Sequence, residues 1–119
     1  MGKIESFEDL AVWKEGMRLS VRIYSLLKNC RDYGLKDQMQ RSVVSIPSNI
    51  SEGFERQTNK EFIQYLYIAK GSCGELRTQL YIAKELGYLS DIDFKEILDR
   101  AKQLTLMLAG LIKTRQTRF

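Results

Sequence analysis

RSVVSIPSNISEGFER, residues 41–56, is the stretch on which the fold turns. Val43, Ile46, Ile50 and Phe54 recur with the spacing of one helix face, yet Pro47 stands in the middle. A proline inside a helix removes one backbone hydrogen bond and crowds the carbonyl four residues back, at a cost of roughly 3 kcal/mol. The apolar stripe nevertheless extends back through Met39 to Leu35 and keeps its register on both sides of the proline. A helix over about 36–56, bent near Pro47, is therefore predicted. Alongside runs a polar stripe of Ser42, Ser45, Asn49, Glu52 and Arg56. The missing amide of Pro47 leaves the Val43 carbonyl without its usual partner, and serine or asparagine side chains can offset part of that loss. Gly53 permits a close backbone approach or loosens the helix end. Two readings of the polar stripe stay open: a device for packing a kinked helix, or a ligand or subunit contact made by Arg41, Asn49, Glu52 and Arg56.

The same periodicity extends outward in both directions. Residues 7–29 carry two apolar stripes, Leu10, Trp13, Met17, Val21, Tyr24 and Leu27 on one side and Val12, Leu19, Ile23 and Leu26 on another. Ser6 and Asp9 resemble a capping box at its start. Two stripes exceed what one core needs, so one is expected to meet another subunit. CRDYG, 30–34, reads as a turn. After QTN, 57–59, a third helix over 59–86 is predicted on Phe62, Leu66, Ala69, Cys73, Leu76, Leu80 and Ala83, capped by Thr58 or Asn59. GYLS, 87–90, closes it with a C-terminal glycine, and Ser90 caps a fourth helix over 91–114. Its face is Phe94, Ile97, Leu98, Ala101, Leu104, Leu108, Leu111 and Ile112, widened almost all round by Leu106, Met107 and Ala109. Short connections make sequential helices antiparallel. The predicted architecture is a single all-α domain over 1–119, an up-down-up-down antiparallel four-helix bundle.

The chain has 119 residues, 44% hydrophobic and 29% charged, in the range of globular domains. No apolar run approaches the roughly 18 residues of a membrane span, and no secretory signal opens the chain. Gly2 and Ser6 fit a short myristoylation pattern that is too common to support lipidation. A cytoplasmic protein without membrane contact is expected, its two separated cysteines, Cys30 and Cys73, reduced. The chain has no histidine, which excludes Ser-His and Cys-His nucleophile pairs and leaves no plausible zinc site. No catalytic residue, metal or cofactor is expected; Glu52, without a second acid or a nucleophile, makes a poor catalytic constellation.

The net charge is +4, and Lys113, Arg115 and Arg118 in a basic tail, 113–119, supply three of it, so the remainder is nearly neutral. Such a tail suits an anionic partner. On helix 1, Lys14, Arg18 and Arg22 lie four apart, a solvated line that assembly around a symmetry axis would repeat once per subunit. In AKGSCGEL, 69–76, the small residues around Gly71 and Gly74 favour close helix approach. Another face of the third helix interleaves Tyr67, Lys70, Arg77, Tyr81, Lys84 and Tyr88. It reads either as base-stacking and phosphate contacts or as a subunit interface.

The stretches SFEDLAVW (6–13), QRSVVSIPSNISEGFER (40–56), FIQYLYIAKGSCGEL (62–76) and ELGYL (85–89) resemble, in order and spacing, the four-helix-bundle family of 23S rRNA intervening-sequence proteins. The accessory variability determinant of diversity-generating retroelements is similar at a greater distance. The resemblance implies a bacterial bundle that assembles into rings, commonly homopentamers. For the distant relative it implies a basic surface that binds nucleic acid and a reverse transcriptase. Its motif positions here are Arg41, Ser45, Pro47, Asn49, Glu52, Gly53 and Arg56 on helix 2, and Lys70, Gly71, Ser72 and Glu75 on helix 3. Ser42, Ser51 and Cys73 depart from the usual pattern, as does Asn29-Cys30 in the first turn.

The expected function is a non-enzymatic homo-oligomer binding RNA or DNA backbone through Lys14, Arg18, Arg22, Arg41, Arg56, Lys113, Arg115 and Arg118. The alternative is an assembly or adaptor module that recognises a protein partner, such as a reverse transcriptase, and binds no nucleic acid.

Overall fold

The computed structural model describes residues 3–119; the Gly2 of the lipidation pattern lies outside them. A short 3-10 turn, Phe7–Asp9, precedes four helices: α1 (Ala11–Leu26), α2 (Tyr33–Phe54), α3 (Asn59–Glu85) and α4 (Asp91–Arg118). Each helix packs on its sequence neighbours and α4 closes the ring against α1, while the backbones of the diagonal pairs stay more than 8 Å apart among the described residues. This is the up-down-up-down four-helix bundle, all-α as the spacing predicts. Its longest dimension is 45 Å, close to the roughly 40 Å of a 28-residue helix.

Local chemistry explains where the helices start and stop. The Asp32 carboxylate accepts the Leu35 amide at 3.1 Å, so α2 begins at Tyr33, earlier than the predicted 36. Thr58 caps α3 and Ser90 caps α4, each hydroxyl accepting the amide three residues on. Gly87 adopts φ 79°, and the Tyr88 amide donates back to Ala83 at 2.9 Å, a Schellman termination of α3.

Three boundaries correct the sequence reading. The helix predicted over 7–29 is divided, because Asp9 accepts the amides of Glu5 and Ser6 at 3.0 and 3.1 Å and closes a separate turn. Leu10 then takes an extended conformation that places it in the core, and α1 starts after it. At the other end α1 stops at Leu26, short of 29. The basic tail is no tail: α4 continues to Arg118, beyond the predicted 114.

The core takes part of each apolar stripe at the start of the chain: Leu10 and Leu27 of one are buried along with Val12, Leu19 and Ile23 of the other, whereas Met17, Val21 and Tyr24 are 42%, 63% and 48% exposed. On α2 and α3 the predicted stripes are the buried ones: Met39, Val43, Ile46 and Ile50 meet Leu66, Ala69, Cys73, Leu76 and Leu80. On α4, Ile97, Leu104 and Leu108 complete the interior, while Leu106 is exposed.

Candidate functional site

Helix α2 is continuous through Pro47, and side chains from both neighbouring helices serve it there. The carbonyl of Val43 that the proline leaves unpaired receives the Ser20 hydroxyl of α1 at 3.2 Å; the same proton is shared with Gly16 at 2.8 Å. Gly16 lies directly over the proline, since a Cβ there would sit 3.2 Å from Pro47 Cδ. The packing therefore leaves little room for a side chain at this position of α1, a constraint that periodicity on α2 cannot reveal. Ser45 shares its proton between the Ser42 carbonyl (2.9 Å) and Ser72 Oγ of α3. Ser72 donates to Ile68 at 3.2 Å, and Asn49 Nδ2 donates to the Ser45 carbonyl at 2.7 Å. Ser42 and Ser72 are buried, and these bonds satisfy polar groups that would otherwise be costly there. Near the end of α2, a Cβ on Gly53 would meet Tyr65 Cβ of α3 at 2.5 Å, so the close approach is real. Of the polar stripe, Ser45 and Arg56 bond across to Ser72 and Tyr65 of α3, while Asn49 bonds back within α2 and Glu52 pairs with Arg56.

Gly71 and Gly74 behave differently. A Cβ at either would meet nothing within 4 Å. Close packing within the bundle, the expectation for AKGSCGEL, is therefore served by Ala69, Ser72 and Cys73, while the glycines face outward. Lys70 and Glu75 flank this outward surface and form no ion pair within 4.0 Å among the described residues.

The candidate cations divide by their partners. Arg18 pairs with Glu15; Arg22 pairs with Glu96 at 2.8 Å and Asp93 at 3.4 Å; Arg41 pairs with Asp37 at 2.8 Å; Arg56 pairs with Glu52 at 3.4 Å. The line Lys14–Arg18–Arg22 is accordingly not a free basic stripe. Hydrogen bonding to Glu96 raises the Arg22 pKa further, and the reciprocal bond holds Glu96 below the usual carboxylate range. Lys14, Lys113 and Arg118 make no ion pair among the described residues. The antiparallel topology brings the start of α1 and the end of α4, and so these three cations, to the same end of the bundle. Arg115 joins them there, but it is bound into the fold: its Nε donates to Asn59 Oδ1 at 2.8 Å, and Asn59 Nδ2 donates to the Arg115 carbonyl at 2.9 Å.

The interleaved line on α3 is partly structural as well. Tyr81 meets Phe94 edge-on at 5.3 Å, Lys84 lies 4.8 Å over the same ring, and Tyr88 donates to Asp32 at 3.0 Å. Gln116 donates to the Tyr67 hydroxyl at 3.4 Å. These tyrosine rings still remain close to half exposed. Among the described residues no cluster of cysteine, aspartate and glutamate could hold a metal, and no helix is long and apolar enough to cross a membrane.

Comparison with known proteins places this arrangement. The family model described as 23S rRNA-intervening sequence protein matches residues 8–110, nearly the whole bundle. The chain belongs to that family. A crystal structure of a protein of unknown function from the S23 ribosomal protein family of Bacteroides thetaiotaomicron is similar, with a TM-score of 0.82 and 26% identity. The match covers 87% of this chain and 100% of that one. No curated protein matches. Within the family fold, the SIPSNISEGF block is accounted for by α2 packing: Pro47 on Gly16, Ser45 on Ser72 and Gly53 on Tyr65.

Proposed function

We propose that this member of the 23S rRNA-intervening sequence family is a non-enzymatic, homo-oligomeric, cytoplasmic bundle that binds RNA or DNA through its phosphate backbone. The observation that carries this reading is the placement of Lys14, Lys113 and Arg118 at one end of the bundle, none within 4.0 Å of a carboxylate among the described residues. Arg18, Arg22, Arg41 and Arg56 contribute less, since each already holds an acid. Three cations at one end of a monomer bind phosphate weakly, and a ring would multiply them by its copy number. The exposed apolar row Met17, Val21 and Tyr24 on α1 supports such assembly, with a pentamer favoured by the family resemblance.

The test is a salt titration of binding to RNA and DNA. Affinity should fall steeply between about 50 and 200 mM salt, and replacing Lys14, Lys113 and Arg118 by glutamine should flatten the slope by roughly two units or more. Binding that is absent at about 50 mM salt, or indifferent to salt, overturns the reading. Solution mass addresses assembly separately: a species of 13.9 kDa at micromolar concentration contradicts it.

A second reading is favoured by the outward surface of α3, where Tyr67, Ile68, Tyr81 and Ile82 are about half exposed beside Gly71 and Gly74. On this reading the bundle is an adaptor for a protein partner such as a reverse transcriptase, and its complex should survive nuclease treatment.

A further inference from the structure

The end of the bundle that carries Arg115 also holds a cavity of about 500 Å³, a size typical of small-molecule sites. The start of the chain, the α2–α3 connection and the last turns of α4 form its walls. Its apolar lining includes Leu10, Phe54, Phe62 and Leu111, and no aspartate or glutamate lines it. Two arginines do, Arg56 and Arg115.

Arg115 is held unlike any other arginine in the bundle. Its guanidinium lies over Phe62, 5.0 Å from the ring centroid, and over Phe119 at 3.7 Å. Its Nε is committed to Asn59. No carboxylate lies within 4.0 Å among the described residues. Burial alone lowers its proton affinity, with no acid to restore it. With aromatic rings against the guanidinium and Nε occupied, the donors left are the two terminal Nη groups. Their fork matches the two oxygens of a carboxylate.

We infer that this cavity binds a small organic carboxylate, its apolar body among Leu10, Phe54, Phe62 and Leu111 and its carboxylate on Arg115. Arg56 adds a second positive charge at the wall, although Glu52 holds part of it at 3.4 Å. With no aspartate or glutamate side chain among the described lining residues, the charge of Arg115 is left for a ligand to neutralise. A polymer backbone suits this position poorly, because an arginine with its Nε bound and rings against its guanidinium offers a single anion site. The inference uses none of Lys14, Lys113 and Arg118 and is independent of nucleic-acid binding.

The test is NMR of the full ¹⁵N-labelled chain titrated with 3-phenylpropanoate, with the neutral 3-phenylpropanol and with inorganic phosphate. The carboxylate should shift the Arg115 Nε–H and the Asn59 side-chain amide at millimolar concentration or below. The alcohol should bind roughly tenfold more weakly or worse. Arg115→Lys, checked for an unchanged melting temperature, should lose a similar factor because an ammonium lacks the fork. Absence of those two shifts up to about 10 mM, a Kd beyond the weak end of specific binding, overturns the site. So does equal affinity for the alcohol, or phosphate alone reproducing the shifts. The comparison of carboxylate with alcohol needs no variant and stands even if Arg115→Lys fails to fold.

Discussion

Two stretches rich in small and polar residues, SIPSNISEG in α2 and AKGSCGE in α3, look alike on the page and do opposite things in the bundle. In the first, Gly53 is pressed against Tyr65, Pro47 against Gly16, and Ser45 is bonded to Ser72 of α3. In the second, Ser72 and Cys73 turn inward, while Gly71 and Gly74 look into open space. Small size is a packing requirement in one stretch. In the other, half of it is surface. Composition names the residues that can be squeezed; only a neighbouring helix says which ones are.

The largest effect that could break this contrast is at Gly53. Gly53→Ala places a methyl against Tyr65 Cβ, an atom that cannot swing away, and should cost about 3 kcal/mol in denaturant unfolding. A loss below about 0.5 kcal/mol would mean that α2 and α3 separate easily and that the contrast is false.

Next comes Cys73, on the inward side of the second stretch. Burial pushes its thiol up to about 11 from an ordinary value of 9.0. Between those pH values the folded thiol keeps its proton while the unfolded one loses it. The unfolded state then binds fewer protons, so stability falls as pH rises. About 2 kcal/mol of alkaline destabilisation should therefore disappear in Cys73→Ala relative to the parent, as read by unfolding curves across that range. In the native protein a disulfide reagent should label Cys30 first, because Cys73 is buried.

A smaller effect isolates the proline's compensation. Ser20→Ala removes the donor to Val43 and should cost about 1 kcal/mol. In a Pro47→Ala background the restored amide can serve the same carbonyl, so the cost should shrink; full additivity in the double-mutant cycle would show that Ser20 does not serve the proline gap. The smallest effect has the opposite sign. Gly71→Ala fills open space inside a helix and should raise stability by up to about 1 kcal/mol. If it also lowers the solution mass of an oligomer, the outward face of α3 is an interface.

The helix count, the core faces of α2, α3 and α4 and the caps at Thr58 and Ser90 were legible because they depend on periodicity and on hydrogen bonds three residues apart. Helix α1 was not fully legible. Its two apolar stripes obey the same spacing, and which residues of each are buried depends on the helices packed against them. In the sequence Asp32 reads as part of the turn CRDYG; its cap, missed there, sets the start of α2 at Tyr33. The candidate cations were legible as residue types, but their charge was not. Arg22 is neutralised by Asp93 and Glu96, more than seventy positions away, and Arg115 lies against the rings of Phe62 and Phe119.

By itself the sequence determined a histidine-free, four-helix chain with a proline-bearing second helix, because a helix repeats every 3.6 residues and its caps are local. Tertiary structure alone decided which apolar face is left outside, which glycines are indispensable and which arginines keep an unneutralised charge. Each of those is a property of a pair of residues brought together across the bundle, and linear spacing carries no record of the partner.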